Sequence, residues 1–513
     1  MFRNIKRKFL LSTLVVILVG GIGNVEGQNV IPKDSLNFPW LNKDINAIQF
    51  FNKSALSRFL TKWSATNSKI ITIAHLGDSH VQPDIYSGEF RRQLQALKGN
   101  AGRGMIFPYS VAKTYSANDY KSTYTGTWKC AKSIEYAPKL PLGVSGATCL
   151  TYDSHASFTI SFHNPINESH KILKLFCKKT EKSFDFILKS GDQEALVIVD
   201  QHVSLGLPYV EIELPIIGNS ITVQLVKKNS NETEFEFYGM SLESTKKDGV
   251  MLHCLGIGGA MYGSILAQKL FENQLPFLNP DLVIVDFGTN DYLYKDIIPD
   301  NLETQIKSVI RKIRFSAPNT DILLTSAQDM NRRGKNITSG EAFSDLIKKI
   351  SREENCAFYD WFWISGGPRT MSLWNQNGLS QNDMIHLNAA GYKLKGHLLA
   401  EALLKTLTVL QAPQKGDSLV FFLDSLKSWA HKSDTIPPSI VELVPIKNIN
   451  LIKSPTNKTG YKIILHTVKS GETLGGIAQR YHVSISSIMT LNNMKNSIIR
   501  TGKKLKIKVR SGK

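Results

Sequence analysis

Four short polar stretches carry side chains that can do nucleophilic chemistry together. Ser79 lies in Gly77-Asp78-Ser79-His80, Gly256 to Ala260 reads GIGGA, Gly288 to Asp291 reads GTND, and Asp383 precedes His386 in DMIH. A serine hydroxyl is a weak nucleophile until an adjacent base takes its proton. His386 can act as that base and later return a proton to a leaving alcohol. Asp383, three residues earlier, can accept the other ring N–H, which fixes the tautomer and stabilises the imidazolium. That chemistry is acyl transfer. It needs no cofactor, and no metal-ligand spacing occurs in the chain. Taken one at a time, the residues also have ordinary structural roles: a turn serine, a helix-capping histidine and a loop acid. Asp78 and Asp291 are read as holding turns, and His80 is given no catalytic role.

These stretches fall where predicted elements end. "KIITIAHLGDS" reads as a buried strand running into the Ser79 turn, and "IYSGEFRRQLQALKG" as the helix that follows. "MLHCLGIGGAM" and "DLVIVDFGTND" are strands ending in the second and third stretches. Amphipathic helices over "NLETQIKSVIRKIRFSA" and "SGEAFSDLIKKISREEN" alternate with the strand "DILLTSAQD". A helix from Ala389 to about Leu410 closes the series, and helical spacing is also read over 47–66. Strands alternating with helices imply a parallel sheet covered on both faces. In such a sheet, functional groups gather beyond the carboxyl ends of the strands.

The pattern is interrupted. From 157 to 243 seven short runs alternate apolar and polar residues between turns, which predicts an antiparallel sandwich or jelly roll.

GDS, a glycine block, GxND and DxxH, in that order, make the chain similar to the SGNH (GDSL-type) serine hydrolases. The resemblance covers about 40–98 and 251–410. It implies an oxyanion hole made by the Ser79 backbone N–H, a glycine N–H of the second block and the Asn290 side-chain amide. Gly259 fits the GxxGA form of that glycine better than Gly258 does. "LGVSGAT" (Leu142 to Thr148) also looks like a glycine block, but GIGGA stands on a strand leading straight to GTND. "GRGMIFPYS" and the sandwich behind it resemble the inserted, carbohydrate-binding-module-like part of peptidoglycan O-acetylesterases.

The tail, "HTVKSGETLGGIAQRYHVSISSIMTLNNM" with "IIRTGKKLKIKV", resembles a LysM module. LysM modules bind N-acetylglucosamine-containing glycans, chiefly peptidoglycan and chitin. The resemblance puts the groove at Gly471, Glu472, Thr473 and Leu474 and at Ile498 and Ile499. The expected fold class is therefore α/β: a flavodoxin-like three-layer α/β/α hydrolase, an inserted antiparallel β-sandwich and a C-terminal βααβ LysM module. The expected division is 1–27 signal peptide, 28–98 and 251–412 hydrolase, 99–250 insertion, 413–460 linker and 461–510 LysM.

Charge and cysteines narrow the setting. Residues 441–513 carry +12 of the formal +19, and the middle of the chain is nearly balanced. A basic tail suits a polyanionic surface, and no nucleic-acid-binding pattern accompanies it. Arg3, Lys6, Arg7 and Lys8 before an apolar stretch from Phe9 to Val19 read as an export signal, shorter than a bilayer span. No transmembrane segment is expected once it is removed. Five cysteines without CxxC spacing indicate neither a disulfide framework nor a zinc site, and the spacing leaves a Cys130–Cys149 bridge open. Together these features predict an exported or periplasmic serine esterase that removes O-acetyl groups from peptidoglycan. The alternatives are an esterase or O-acyltransferase for another surface polysaccharide, and a wall-binding scaffold with an inactive hydrolase domain.

Overall fold

A computed structural model of the chain describes residues 38–65 and 69–411 and parts of 461–510. The expected signal segment and the 413–460 linker lie outside the described residues. No described helix is long and apolar enough to cross a membrane.

Strand Ile70–Gly77 is buried on both faces, as a mostly apolar run in a covered parallel sheet requires. It pairs in parallel with Gly249–Gly256 on one side and with Leu282–Asp286 on the other. Asp321–Thr325 and Ala357–Tyr359 extend the sheet, so the strand order by sequence is 2-1-3-4-5, the flavodoxin-like arrangement. One face of the sheet packs Ile71, Ile73 and Ile284 against Phe90, Leu94, Leu399 and Leu403, from the helices Tyr86–Lys98 and Ala389–Gln411. The other packs Val283 and Val285 against Ile306, Ile310 and Ile347, from Leu302–Ser316 and Gly340–Glu353. Each aliphatic side chain buried this fully contributes about 1.5–3 kcal/mol relative to exposure.

The helix expected over 47–66 is shorter than its spacing suggested. It spans Ser57–Ser64, preceded by a 3-10 turn at Lys53–Leu56. Gln49 instead exchanges two backbone hydrogen bonds of 2.7 Å with Phe358, so 47–50 runs along the sheet edge. Ala47, Ile48 and Phe50 are buried there by long-range pairing, which helical periodicity cannot see.

The insertion enters and leaves at adjacent points: Val250 N–H donates to the Gly99 carbonyl and Ala101 N–H to the Val250 carbonyl. All seven runs read between 157 and 243 are strands. Four more precede them, Gly102–Ile106, Tyr120–Thr125, Lys129–Lys132 and Ala147–Thr151. They form two antiparallel sheets. Contacts such as Phe158–Phe237 and Phe186–Phe235 join their inner faces. Cys130 and Cys149, opposite each other on paired strands, form a disulfide.

The tail is a separate unit. Strands Tyr461–Thr467 and Lys504–Arg510 pair antiparallel, with helix Leu474–Arg480 between them in sequence. Val468, Leu474, Ile477, Ala478, Leu505 and Ile507 form its core.

Candidate active site

Strand register brings three of the four stretches to one level. Gly77 pairs with Gly256 on one side and with Asp286 on the other, so the turns after these three strands open side by side. After Gly77 the chain folds at once into a tight turn, with Val81 and Gln82 N–H donating to the Asp78 carbonyl. Asn290 follows the third strand on a short helix, Thr289–Tyr292. The fourth stretch arrives from across the sheet, just ahead of helix Ala389–Gln411. Asn388 begins that helix by accepting the N–H groups of Ala390 and Gly391 on its side-chain oxygen.

Ser79 Oγ lies 2.8 Å from His386 Nε2, and His386 Nδ1 lies 2.6 Å from Asp383 Oδ2. The tautomer that donates Nδ1–H to the carboxylate leaves Nε2 to accept the serine proton. Met384, at φ +53°, folds the loop back so that Ile385 and His386 N–H both donate to Asp383 Oδ1 at 3.0 Å. Partial burial works upward on the Asp383 carboxyl. The bonds from His386 and Ile385 outweigh it and hold the group below the usual carboxylate range.

Beside Ser79, the N–H groups of Ser79 and Gly259 have no acceptor among the described residues. Gly258 N–H is taken, donating to Gln82 Oε1 at 2.6 Å. That geometry favours Gly259 over Gly258 as a free donor, and its φ of +86° is one that side-chain-bearing residues rarely adopt. Asn290 Nδ2 donates to the Ala260 carbonyl at 3.0 Å and to Asp78 Oδ2 at a longer 3.3 Å.

The GDSL-like lipase/acylhydrolase family model matches residues 216–394, and the LysM domain model matches 466–508. The chain thus carries a GDSL-like acylhydrolase domain and a LysM domain. The matched acylhydrolase span does not include Ser79. A solved structure described as "Peptidoglycan O-acetylesterase in action, 5 min" superposes over 70% of this chain and 98% of its own, with TM-score 0.56 and 20% identity, a likeness of fold. A 40-residue stretch is 55% identical to a probable N-acetylmuramidase of Lactococcus lactis subsp. cremoris (strain MG1363), covering 8% of this chain and 9% of that protein. The corresponding protein of L. lactis subsp. lactis (strain IL1403) is 50% identical over 40 residues. The chain spans less than a tenth of the length of these curated relatives.

His80 was given no catalytic role from sequence, and its neighbours Tyr392 and Gln328, like Gln82, were not singled out. His80 is buried, its ring 5.0 Å from that of His386, with Nδ1 2.8 Å from the Tyr392 hydroxyl. Burial and the neighbouring His386 hold its pKa well below the usual imidazole value, so it packs as a neutral ring. Gln328 links His80 to the Ile385 carbonyl and accepts from Trp361 Nε1. Gln82, wholly buried, accepts from Gly258 and donates to the Tyr115 carbonyl at 2.6 Å and to Thr114 Oγ1 at 3.2 Å. It thereby ties the glycine loop to the inserted segment. One signal was available: a polar Gln82 three residues beyond Ser79, one helical turn on, in an otherwise buried stretch.

In the tail unit, Glu472 pairs with His466 at 2.7 Å and with Arg480. Leu474 is buried in the core of the unit. Gly471, Thr473, Ile498 and Ile499 lie outside the described residues.

Proposed function

We propose that this hydrolase is an exported peptidoglycan O-acetylesterase. The observation that carries the catalytic reading is the continuous Ser79–His386–Asp383 chain at 2.8 and 2.6 Å. Ser79 Oγ attacks the carbonyl carbon of an acetyl ester on a muramic acid hydroxyl, and its proton passes to His386 Nε2. Asp383 holds the imidazolium. The tetrahedral oxyanion takes hydrogen bonds from the N–H groups of Ser79 and Gly259 and from Asn290 Nδ2, whose long bond to Asp78 is the one that can be redirected. Collapse breaks the bond to the sugar oxygen, which leaves with the proton from His386 Nε2. Water, deprotonated by the same imidazole, then attacks the acetyl-enzyme and releases acetate and free Ser79.

The substrate assignment rests on the LysM module. A glycan-binding module attached to an esterase keeps the site among acetylated wall sugars by raising their effective concentration. The basic tail and the export-type N-terminus suit the same setting.

Acetate release from O-acetylated peptidoglycan tests the reading. Wild-type enzyme releases acetate and Ser79→Ala does not. Equal release by the two overturns the catalytic assignment. Release confined to acetylated xylan or chitin overturns the substrate, and acetate appearing on a second glycan identifies transfer.

A further inference from the structure

Three large apolar side chains stand partly exposed around the glycine loop: Tyr115 at 46%, Ile134 at 41% and Met261 at 42%. A methyl group built on Gly258 would sit 2.6 Å from the Tyr115 hydroxyl, and one on Gly259 would meet Ile134 Cγ2 at 3.7 Å. Met261 follows Gly259 by two residues. Tyr115 and Ile134 belong to the inserted segment, Met261 to the hydrolase. Exposed apolar side chains are ordinarily scattered singly. Here they meet beside the backbone that carries a free donor next to Ser79.

The Tyr115 backbone is pinned. Gln82 Nε2 donates to its carbonyl at 2.6 Å while Gln82 Oε1 holds Gly258 N–H at 2.6 Å, so one buried side chain fixes the distance between tyrosine and loop. Gly258 is also the residue that lets the ring approach this closely, since any side chain there would strike it.

We infer that Tyr115 is a specificity-determining residue that packs against the sugar ring carrying the ester. This inference deepens the glycan-ester reading above and rests on it. An acetyl group has one carbon beyond its carbonyl, so outward-facing groups around the glycine loop meet the alcohol half of the ester. A pyranose presents a C–H face and a rim of hydroxyls. A tyrosine offers an apolar ring and a polar tip to match them, and Ile134 and Met261 widen the apolar side.

The test compares each enzyme on O-acetylated peptidoglycan fragments and on methyl acetate, whose alcohol is a single carbon. In Tyr115→Ala the ratio of kcat/KM for the glycan to that for methyl acetate falls about tenfold, mainly through KM. Tyr115→Phe keeps the ratio within about twofold, because the ring face remains. An unchanged ratio in Tyr115→Ala, or a Tyr115→Phe ratio as low as that of alanine, overturns the inference while wild-type activity on the glycan still stands. Wild-type enzyme that cleaves methyl acetate and no acetylated glycan overturns the glycan-ester reading and this inference with it.

Discussion

Asn290 Nδ2 donates to Asp78 Oδ2 at 3.3 Å, and burial pushes the pKa of that aspartate up to about 8. At neutral pH the partner of Asn290 is therefore a neutral carboxyl, a weaker acceptor than a carboxylate. A loosely held amide can turn to a developing oxyanion. Ionised Asp78 would grip Asn290 harder and place a negative charge beside the transition state. The kcat of wild-type enzyme should fall as pH rises through about 8. In Asp78→Asn that alkaline limb should be absent, whatever the absolute rate. A pH–rate profile on a small acetate ester checks this.

The same carboxyl makes a prediction about stability. Its folded pKa is raised above the ordinary 3.8, so the unfolded chain releases the proton first. The stabilisation is complete below the unfolded value and is lost as pH rises through about 8. Relative to Asp78→Asn, wild-type protein should lose Tm steadily over that interval. A constant difference in Tm would contradict the assignment.

Asp383→Asn isolates orientation from folding. Asparagine keeps an oxygen for the Ile385 and His386 N–H groups, so the loop can close as before. Its amide nitrogen, set against His386 Nδ1, favours the tautomer with the proton on Nε2, which cannot accept from Ser79. We expect kcat to drop about 10³–10⁴-fold with KM little changed. Steady-state kinetics with a melting curve separate this outcome from unfolding.

Asp84 fastens the insertion to the hydrolase. Its buried carboxylate meets Arg103 at 2.6 Å, at the start of the insertion, and Arg91 at 2.9 Å. Burial pushes this carboxyl upward, but Arg103 and Arg91 outweigh it and hold it at about 2. Removing one charge of a buried group of ions typically costs about 3–5 kcal/mol. Asp84→Asn should lower the denaturation midpoint accordingly, less whatever Arg103 keeps through Asp119. Because the folded pKa is depressed, the advantage of wild type is full above the unfolded value of 3.8 and disappears as pH falls toward about 2. Chemical denaturation at neutral and acid pH checks both statements.

The candidate catalytic groups were legible because GDSH and GTND lie at strand ends and DMIH just ahead of the last helix of the α/β series, where residue type and position reinforce each other. GDSH, GTND and DMIH needed only the α/β alternation to be placed. Less was readable where pairing partners are distant. Tyr120–Thr125 escaped because most of its residues are polar and partly or fully exposed, leaving no apolar alternation to find. Ala47 to Phe50 mimicked a helix because its apolar residues are buried on a segment that pairs, through Gln49, with Phe358, more than 300 positions away. Tyr115 could not be tied to Gly258 from sequence, since some 140 residues of insertion separate them. Only the tertiary fold closes that distance.

Gln82 offers the sharpest test of that closure. Its side chain satisfies Gly258 N–H, the Tyr115 carbonyl and Thr114 Oγ1, and so sets where the neighbouring Gly259 N–H points. Gln82→Leu keeps the volume and removes the polar bridge, leaving the Gly258 and Tyr115 backbone groups to find other partners. A donor displaced by about 1 Å can cost about 100-fold in rate, because the oxyanion forms only in the transition state. We expect kcat on methyl acetate to fall by about that factor while KM moves little. A boronic acid that forms a tetrahedral adduct on Ser79 should lose affinity in the same proportion as kcat/KM. General loosening of the fold would weaken substrate and analogue binding alike. Equal changes in KM and boronate affinity would show that Gln82 supports the structure without positioning the donor.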